Sequence, residues 1–409
     1  MKTALGHLGY CTNIHVGEHW SDHFAALRTA IPALKQRLSP DAPFGLGLRL
    51  SNLASEELML DARLQEFKAW LTETGCYVFT MNGFPFGGFH HVRVKDQVHA
   101  PDWTTEARVA YTIRLFRLLT ELAPEGLNAG ISTSPLSYRH WFEWDQAVAR
   151  DYVFSQTTQN LLDVVAELVR LKRETGRSMH LDIEPEPDGL LETADEFIDW
   201  FTGYLLPMGT AKLAETFDLT ETEAADALRE HVQLCYDVCH FAVGYEQPTD
   251  VLHKLKQHGL RVGKIQISAA LKAEFPATDE TREEIRRAFM QFNEPTYLHQ
   301  VVARNQDGRL VRFPDLPEAL KGYDPGHAEW RSHFHVPIFI ADYGVLHSTQ
   351  DDIVEVLRLQ QKEPFTDHLE VETYTWTVLP DALKRDLTES IGRELEWTKT
   401  ILMSERANE

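Results

Sequence analysis

Carboxylates and imidazoles recur in this sequence where strand-like runs end, which is where an α/β barrel assembles its chemistry. The stretch Cys235-Tyr236-Asp237-Val238-Cys239-His240 closes a buried-looking strand in Asp-x-x-His. That spacing aims a carboxylate at a metal while the imidazole three residues on reaches metal or substrate. Leu181-Asp182-Ile183-Glu184 ends another strand, with Asp182 and Glu184 on one face and Glu184 nearer the mouth. Glu186, across Pro185, reads as a carboxylate that caps a helix. Glu370, Glu372, Tyr374 and Trp376 alternate on one face of a late strand. Two carboxylates buried on one strand are costly without a cation. His333 and His335, at i and i+2, present two ligands for one ion, or a ligand and its supporting partner. Glu184, Asp237, Glu372 and one or both of these histidines are therefore the candidate ligands of a divalent cation. Mn²⁺ or Zn²⁺ is expected, with Mg²⁺ as the alternative. Glu184, Glu372 and His240 are the candidate catalytic groups, the carboxylates moving a proton at carbon.

The substrate side draws on the other strand ends. Asn13 and His15 face the same way if the first strand runs from Leu8 to His15, and Asn82 and His90 follow the third strand. Gln266, inside the seventh, has an amide that binds an ion through its carbonyl or hydrogen-bonds substrate. Trp376 completes the substrate-binding set. Phe84, Phe86, Phe89, Trp141 and Trp144 can stack on a ring substrate, although packing is the commoner use of such residues.

Positioning these groups requires strands that alternate with helices. Strand-like runs fall at Leu8–His15, Phe44–Ser51, Cys76–Met81, Leu127–Thr133, Ser178–Glu184, Val232–Tyr236, Arg261–Ser268 and His368–Trp376. Helical patterns lie between them, and the last runs from Pro380 to Met403. The alternation predicts an α/β chain folded as one (β/α)8 TIM barrel over residues 1–409, with its site at the C-terminal strand ends. No Gly-x-Gly-x-x-Gly follows the first strand to support a doubly wound sheet. Two stretches are too long for ordinary connections. Residues 190–230 read as two helices, the second opened by a Thr220–Glu223 capping box. Residues 279–332 read as a helix plus a hairpin turning at Asn305-Gln306-Asp307-Gly308, a lid or an oligomer contact.

A net charge of −22 argues against nucleic acid or an anionic membrane as partner, since both require basic patches. No apolar run approaches a membrane span or a signal peptide. The four cysteines show neither zinc-ribbon nor redox spacing. A cytoplasmic protein with a small-molecule substrate is expected.

Glu184, Asp237-x-x-His240 and Glu372 resemble the metal pattern of the xylose-isomerase-like TIM barrels, a group that includes sugar isomerases, ketose epimerases and the endonuclease IV branch. Tyr10-Cys-Thr-Asn-Ile-His15 with Gly17-Glu18, and His368-Leu-Glu-Val-Glu-Thr-Tyr-Thr-Trp376, are similar to the EboE-type metabolite traffic family within that group. The resemblance implies a role in a bacterial secondary-metabolite cluster, as a homodimer or beside other proteins of that cluster. It also implies a metal held by Glu184, Asp237, Glu372 and a histidine from strand seven. Gln266 stands where that histidine belongs, so His333 or His335 is expected to replace it. Isomerase or epimerase chemistry on a sugar-like or cyclitol compound is the leading expectation. A non-catalytic carrier and a phosphoesterase on a small substrate are the alternatives.

Overall fold

Short buried runs rich in Leu, Ile, Val and Gly form eight parallel strands, each after the first reached through an outer helix. They are β1 Gly6–Tyr10, β2 Phe44–Arg49, β3 Cys76–Asn82, β4 Ala129–Thr133, β5 Met179–Ile183, β6 Val232–Asp237, β7 Val262–Ile267 and β8 His368–Val371. The computed structural model describes residues 1–90, 92–276 and 278–404. Hydrogen bonds join the strands in the order β1-β8-β7-β6-β5-β4-β3-β2, and a short edge, Lys2–Thr3, pairs antiparallel with β1. A parallel bridge between Cys11 and Gly47 brings β1 to β2 and closes the ring. The fold is a (β/α)8 barrel, as the alternation predicts.

Its interior departs from the usual packing of branched apolar side chains. His180 and Asp182 of β5, Lys264 and Gln266 of β7, and His368 and Glu370 of β8 are all buried. Lys264 Nζ donates to Glu370 Oε2 at 2.7 Å and to the Met81 carbonyl at 3.3 Å. Glycines make room for these groups. A Cβ on Gly47 would lie 1.6 Å from Glu370 Oε1, and one on Gly263 would lie 1.9 Å from Asp182 Oδ1.

Two strands are shorter than expected, for local reasons. Residues Thr12–Ile14 leave β1 in a 3-10 turn, because the Thr12 hydroxyl takes the Arg49 N–H at 2.9 Å in place of a ladder bond. Asn13 and His15 are therefore turn residues and do not share a strand face. Glu372 N–H makes the last ladder bond of β8, to Ile267. Beyond it, the Thr373 hydroxyl donates to Glu394 at 2.7 Å and the Thr375 hydroxyl donates to the His335 carbonyl at 2.6 Å. These contacts pull Tyr374 and Trp376 out of the alternation.

Between β5 and β6, Ala194–Trp200 continues through a π segment into Leu206–Phe217, and Glu221–His231 follows with the expected Thr220–Glu223 capping box. The connection from β7 to β8 is larger than a helix plus hairpin. It contains a six-stranded antiparallel sheet in the order Leu310–Phe313, Val301–Asn305, His327–Val336, Ala269–Glu274, Leu346–Ser348, Asp342–Tyr343. It also contains the helices Asp279–Met290, Leu316–Lys321 and Gln350–Lys362, the last two not anticipated from the sequence. Among the described residues, no helix is long and apolar enough to cross a membrane.

Glu394 is buried on the last helix, Leu387–Met403, and accepts from Thr373 and from Ile338 N–H. Burial raises its carboxyl to about 8, against the pull of these donors. The stabilising protonated form is complete below the unfolded value near 4.5 and is lost as pH rises through about 8. Glu394→Gln is therefore expected to match the parent at pH 4.5 and to exceed it at pH 8 by on the order of 1–3 kcal/mol. Urea unfolding at the two pH values checks this, and a gap independent of pH counts against it.

Candidate metal centre at the barrel mouth

Asp237 ends β6 and caps the short helix Val238–Val243, its Oδ1 accepting the His240 N–H at 3.2 Å. The cap fixes what Asp-x-x-His does: the carboxylate stays at the strand end while one helical turn brings the imidazole back over it. The Ser268 hydroxyl donates to the same oxygen at 2.7 Å, leaving Oδ2 without a partner. Glu184 follows β5, its Oε1 3.7 Å from His240 Nδ1 and its Oε2 unpartnered.

Glu372 is held by three amides. Asn13 and Asn82 each donate to Oε1 at 2.8 Å, and Gln266 donates to Oε2. The Gln266 carbonyl in turn takes the Cys235 thiol. Asn13, Asn82 and Gln266 thus orient a carboxylate.

His333 and His335 reach the mouth through an irregularity that periodicity does not reveal. The strand His327–Val336 pairs Ser332 with Leu271 and Val336 with Ala269, so the register slips across His333–His335. Such a slip re-aims side chains. Backbone and amide acceptors then fix the tautomers of three rings. His240 Nδ1 lies 3.0 Å from the Pro185 carbonyl, His333 Nδ1 2.8 Å from Gln300 Oε1, and His335 Nδ1 3.0 Å from the Glu372 carbonyl. Gln300 spends its N–H on the Pro187 carbonyl at 3.0 Å, so its oxygen accepts. Burial holds all three rings below their ordinary value, His335 at about 4, so they are neutral near pH 7. Each Nδ1 therefore carries the proton and each Nε2 presents a lone pair.

These lone pairs converge without donors to meet them. His240 Nε2 and His333 Nε2 face each other at 3.3 Å, and His335 Nε2 is unpartnered, 3.9 Å from the unpartnered Asp237 Oδ2. Buried metal-binding histidines are supported in this way, with the second nitrogen donating to a carbonyl or amide. Asp237, His240 and His335 form one compact ligand group; Glu184, Asp237 and Glu372 form another; Glu186, His240 and His333 form a third. Electrostatics agree. Burial first, then Glu372 and Asp237, push Glu184 well above its ordinary range, and burial with Asp237 and Glu370 does the same to Glu372. Burial also pushes Asp237 up, but hydrogen bonds from the Ser268 hydroxyl and the His240 backbone N–H favour its ionised form. Carboxylates crowded in this way stay ionised only beside positive charge, and the donors present fit a divalent cation.

The structure gathers Glu184, Asp237, His240, His333, His335, Glu372, Asn13 and Asn82 at the mouth. His90 lies above them, with Nε2 2.5 Å from the Asn13 carbonyl and Nδ1 3.0 Å from the Tyr297 hydroxyl. His15 bonds the Tyr10 hydroxyl at 2.8 Å, and the Trp376 ring packs near Phe339; neither lines the mouth cavity.

Glu186 caps no helix. It lines the mouth, 3.8 Å from His333 Nδ1, and burial raises it to about 8. The signal for it was present, because prolines on both sides keep the chain extended and put i and i+2 on one side. His99, 3.7 Å from Glu186 with neither ring nitrogen bonded, had no such signal.

The cover over these groups is aromatic. Phe89, Tyr297 and Tyr374 meet edge to face or tilted, with ring centroids 5.0–5.1 Å apart. Tyr297 and Leu298 come from the β7–β8 connection, which therefore folds over the mouth. Lys95 joins the two sides of the cover by pairing with Asp315 at 2.6 Å. About 40 Å³ of space remains beneath, enough for an ion with a water and too little for a sugar.

No family model matches the chain, and no curated protein matches it in sequence. Solved structures similar to it include the IOLI protein with a binding zinc atom, at 11% identity over 97% of this chain and 98% of that one, TM-score 0.47. A xylose isomerase-like TIM barrel protein from Mycobacterium smegmatis in complex with magnesium shares 12% identity over 92% of this chain and 88% of that one, TM-score 0.47. D-allulose 3-epimerase from Methylomonas sp. in complex with D-allulose shares 10% over 97% and 96%, TM-score 0.47. The barrel itself rests on the strand order described above.

Proposed function

We propose that the protein is a divalent-metal-dependent isomerase or epimerase acting on a sugar-like or cyclitol compound. The observation that carries this reading is the convergence of tautomer-fixed Nε2 lone pairs with unpartnered carboxylate oxygens of Glu184 and Asp237. Glu184, Asp237, His335 and Glu372 would hold the ion, with His335 in place of the histidine that Gln266 lacks. When bound, such an ion polarises adjacent substrate oxygens and acidifies the neighbouring C–H.

The chain's own groups do the rest. Glu184 and Glu372, which approach the site from separate strands, take and return a proton at carbon. Asn13, Asn82 and Gln266 keep the Glu372 carboxylate in one orientation, so little reorganisation is needed as the proton moves. His240, with Nδ1 committed to the Pro185 carbonyl, offers Nε2 to a substrate hydroxyl. The aromatic cover excludes water while the proton is off carbon, and it must open to admit substrate. The EboE-type motifs extend the proposal to a cytoplasmic role in a secondary-metabolite cluster, with a homodimer or a cluster protein as partner.

Elemental analysis and thermal unfolding test this reading. Chelator is expected to lower the Tm, and Mn²⁺ or Zn²⁺ to restore it by several degrees, about 3 kcal/mol at a hundredfold excess over Kd. Metal-loaded protein is expected to isomerise or epimerise a member of a ketose and inosose panel. Protein that binds neither ion sinks the proposal, and bound metal without turnover on the panel shifts it to a carrier.

Ligand entry gives a second test. Lys95→Ala removes the link to Asp315, so protease cleavage within residues 83–101 is expected to accelerate roughly tenfold, as for the loss of a partly buried pair. Unchanged cleavage would show that the cover is held elsewhere.

A further inference from the structure

The larger opening is at the other end of the barrel. A cavity of about 670 Å³ lies where β5 to β8 begin, a size that accommodates a small ligand. His180, Gly263 and His368 line its inner part, and Lys256, Arg261 and Lys362 line its rim. His368 is 1% exposed, and its Nδ1 is closed off from the cavity. Arg261 and Lys362 are exposed, and among the described residues neither side chain makes an ion pair or a hydrogen bond. Lys256 pairs with Glu363 at 2.7 Å, so Asp367 is the remaining acid of the lining. In a chain of net charge −22, this opening is a local reversal of sign.

We propose that this cavity binds a small anion carrying carboxylate or phosphate groups, held by Arg261 and Lys362 at the rim. The guanidinium fork matches the paired oxygens of either group, and the lysine adds a mobile point charge. The site is independent of the chemistry proposed for the mouth, because it shares no residue with it.

Thermal shift and calorimetry on the metal-loaded protein test the proposal, with inorganic phosphate and malonate as separate probes at constant ionic strength. Saturable stabilisation by at least one probe is expected, and the tighter of the two identifies the anion class. Arg261→Ala/Lys362→Ala, changing exposed side chains, is expected to weaken binding at least ~10-fold, about 1.4 kcal/mol. Glu372→Gln, at the mouth, is expected to leave it unchanged, which separates this site from any anion bound to the metal. A shift reproduced by chloride, a shift equal in the rim variant, or no shift with either probe overturns the proposal.

Discussion

Replacing Asp237 with asparagine is expected to abolish tight binding of the divalent ion while leaving the barrel folded. Asparagine caps a helix as well as aspartate does, so the turn that carries His240 survives. The lost anionic ligand should cost at least ~100-fold in affinity, on the order of 3 kcal/mol. In chelator the same variant should remain folded, its side-chain oxygen still accepting from the Ser268 hydroxyl and the His240 N–H. His335→Ala should likewise deplete the metal. Gln266→Ala acts only by loosening Glu372 and should cost about 10-fold, the lower end for a supporting residue. Equilibrium dialysis with Mn²⁺ and Zn²⁺ reads all three. Full occupancy in Asp237→Asn and His335→Ala, with loss in Gln266→Ala, would show that the ion sits lower in the barrel than argued here.

Lys264→Met is expected to produce the largest loss of stability in the chain. Lys264 and Glu370 are each 0% exposed, and Glu370 Oε1 has no partner besides the ion pair on its other oxygen. Removing one member of a buried pair strands the other charge, at a cost of about 3–5 kcal/mol. The double variant Lys264→Met/Glu370→Gln should recover more than half of that, because the stranded charge goes with it. Urea titrations of the single and double variants decide. A cost below about 1 kcal/mol for Lys264→Met would mean that the pair contributes little.

The barrel and most of its mouth were legible because they are written in local periodicity. Strand-end carboxylates at Glu184, Asp237 and Glu372 need only a correct strand assignment to converge, and the Asp237 cap then places His240 by ordinary helix geometry. Strand ends were less legible. Thr12 and Thr373 stop β1 and β8 through hydroxyl bonds to Arg49 and Glu394, partners distant in sequence. The hold of Asn13 and Asn82 on Glu372 was hidden for a similar reason: an amide near a pocket reads as substrate-binding, and the carboxylate it also serves comes from a strand distant in sequence. The inserted sheet was seen only as a hairpin, since its strand Ala269–Glu274 follows β7 with a single residue between them and reads as its continuation.

The register slip between Ser332 and Val336 has a consequence for cooperativity. It places imidazoles carried by the antiparallel sheet against carboxylates carried by the barrel, so a ligand that engages both kinds of donor fastens two separately hydrogen-bonded sheets together. Part of its binding free energy then opposes local unfolding of the outer sheet. Amide exchange in Val301–Asn305 and His327–Val336 would slow in proportion to occupancy, while the barrel strands changed little. A bound ion would in that sense act as a clasp, and how firmly the outer sheet sits on the barrel would become a readout of metal supply.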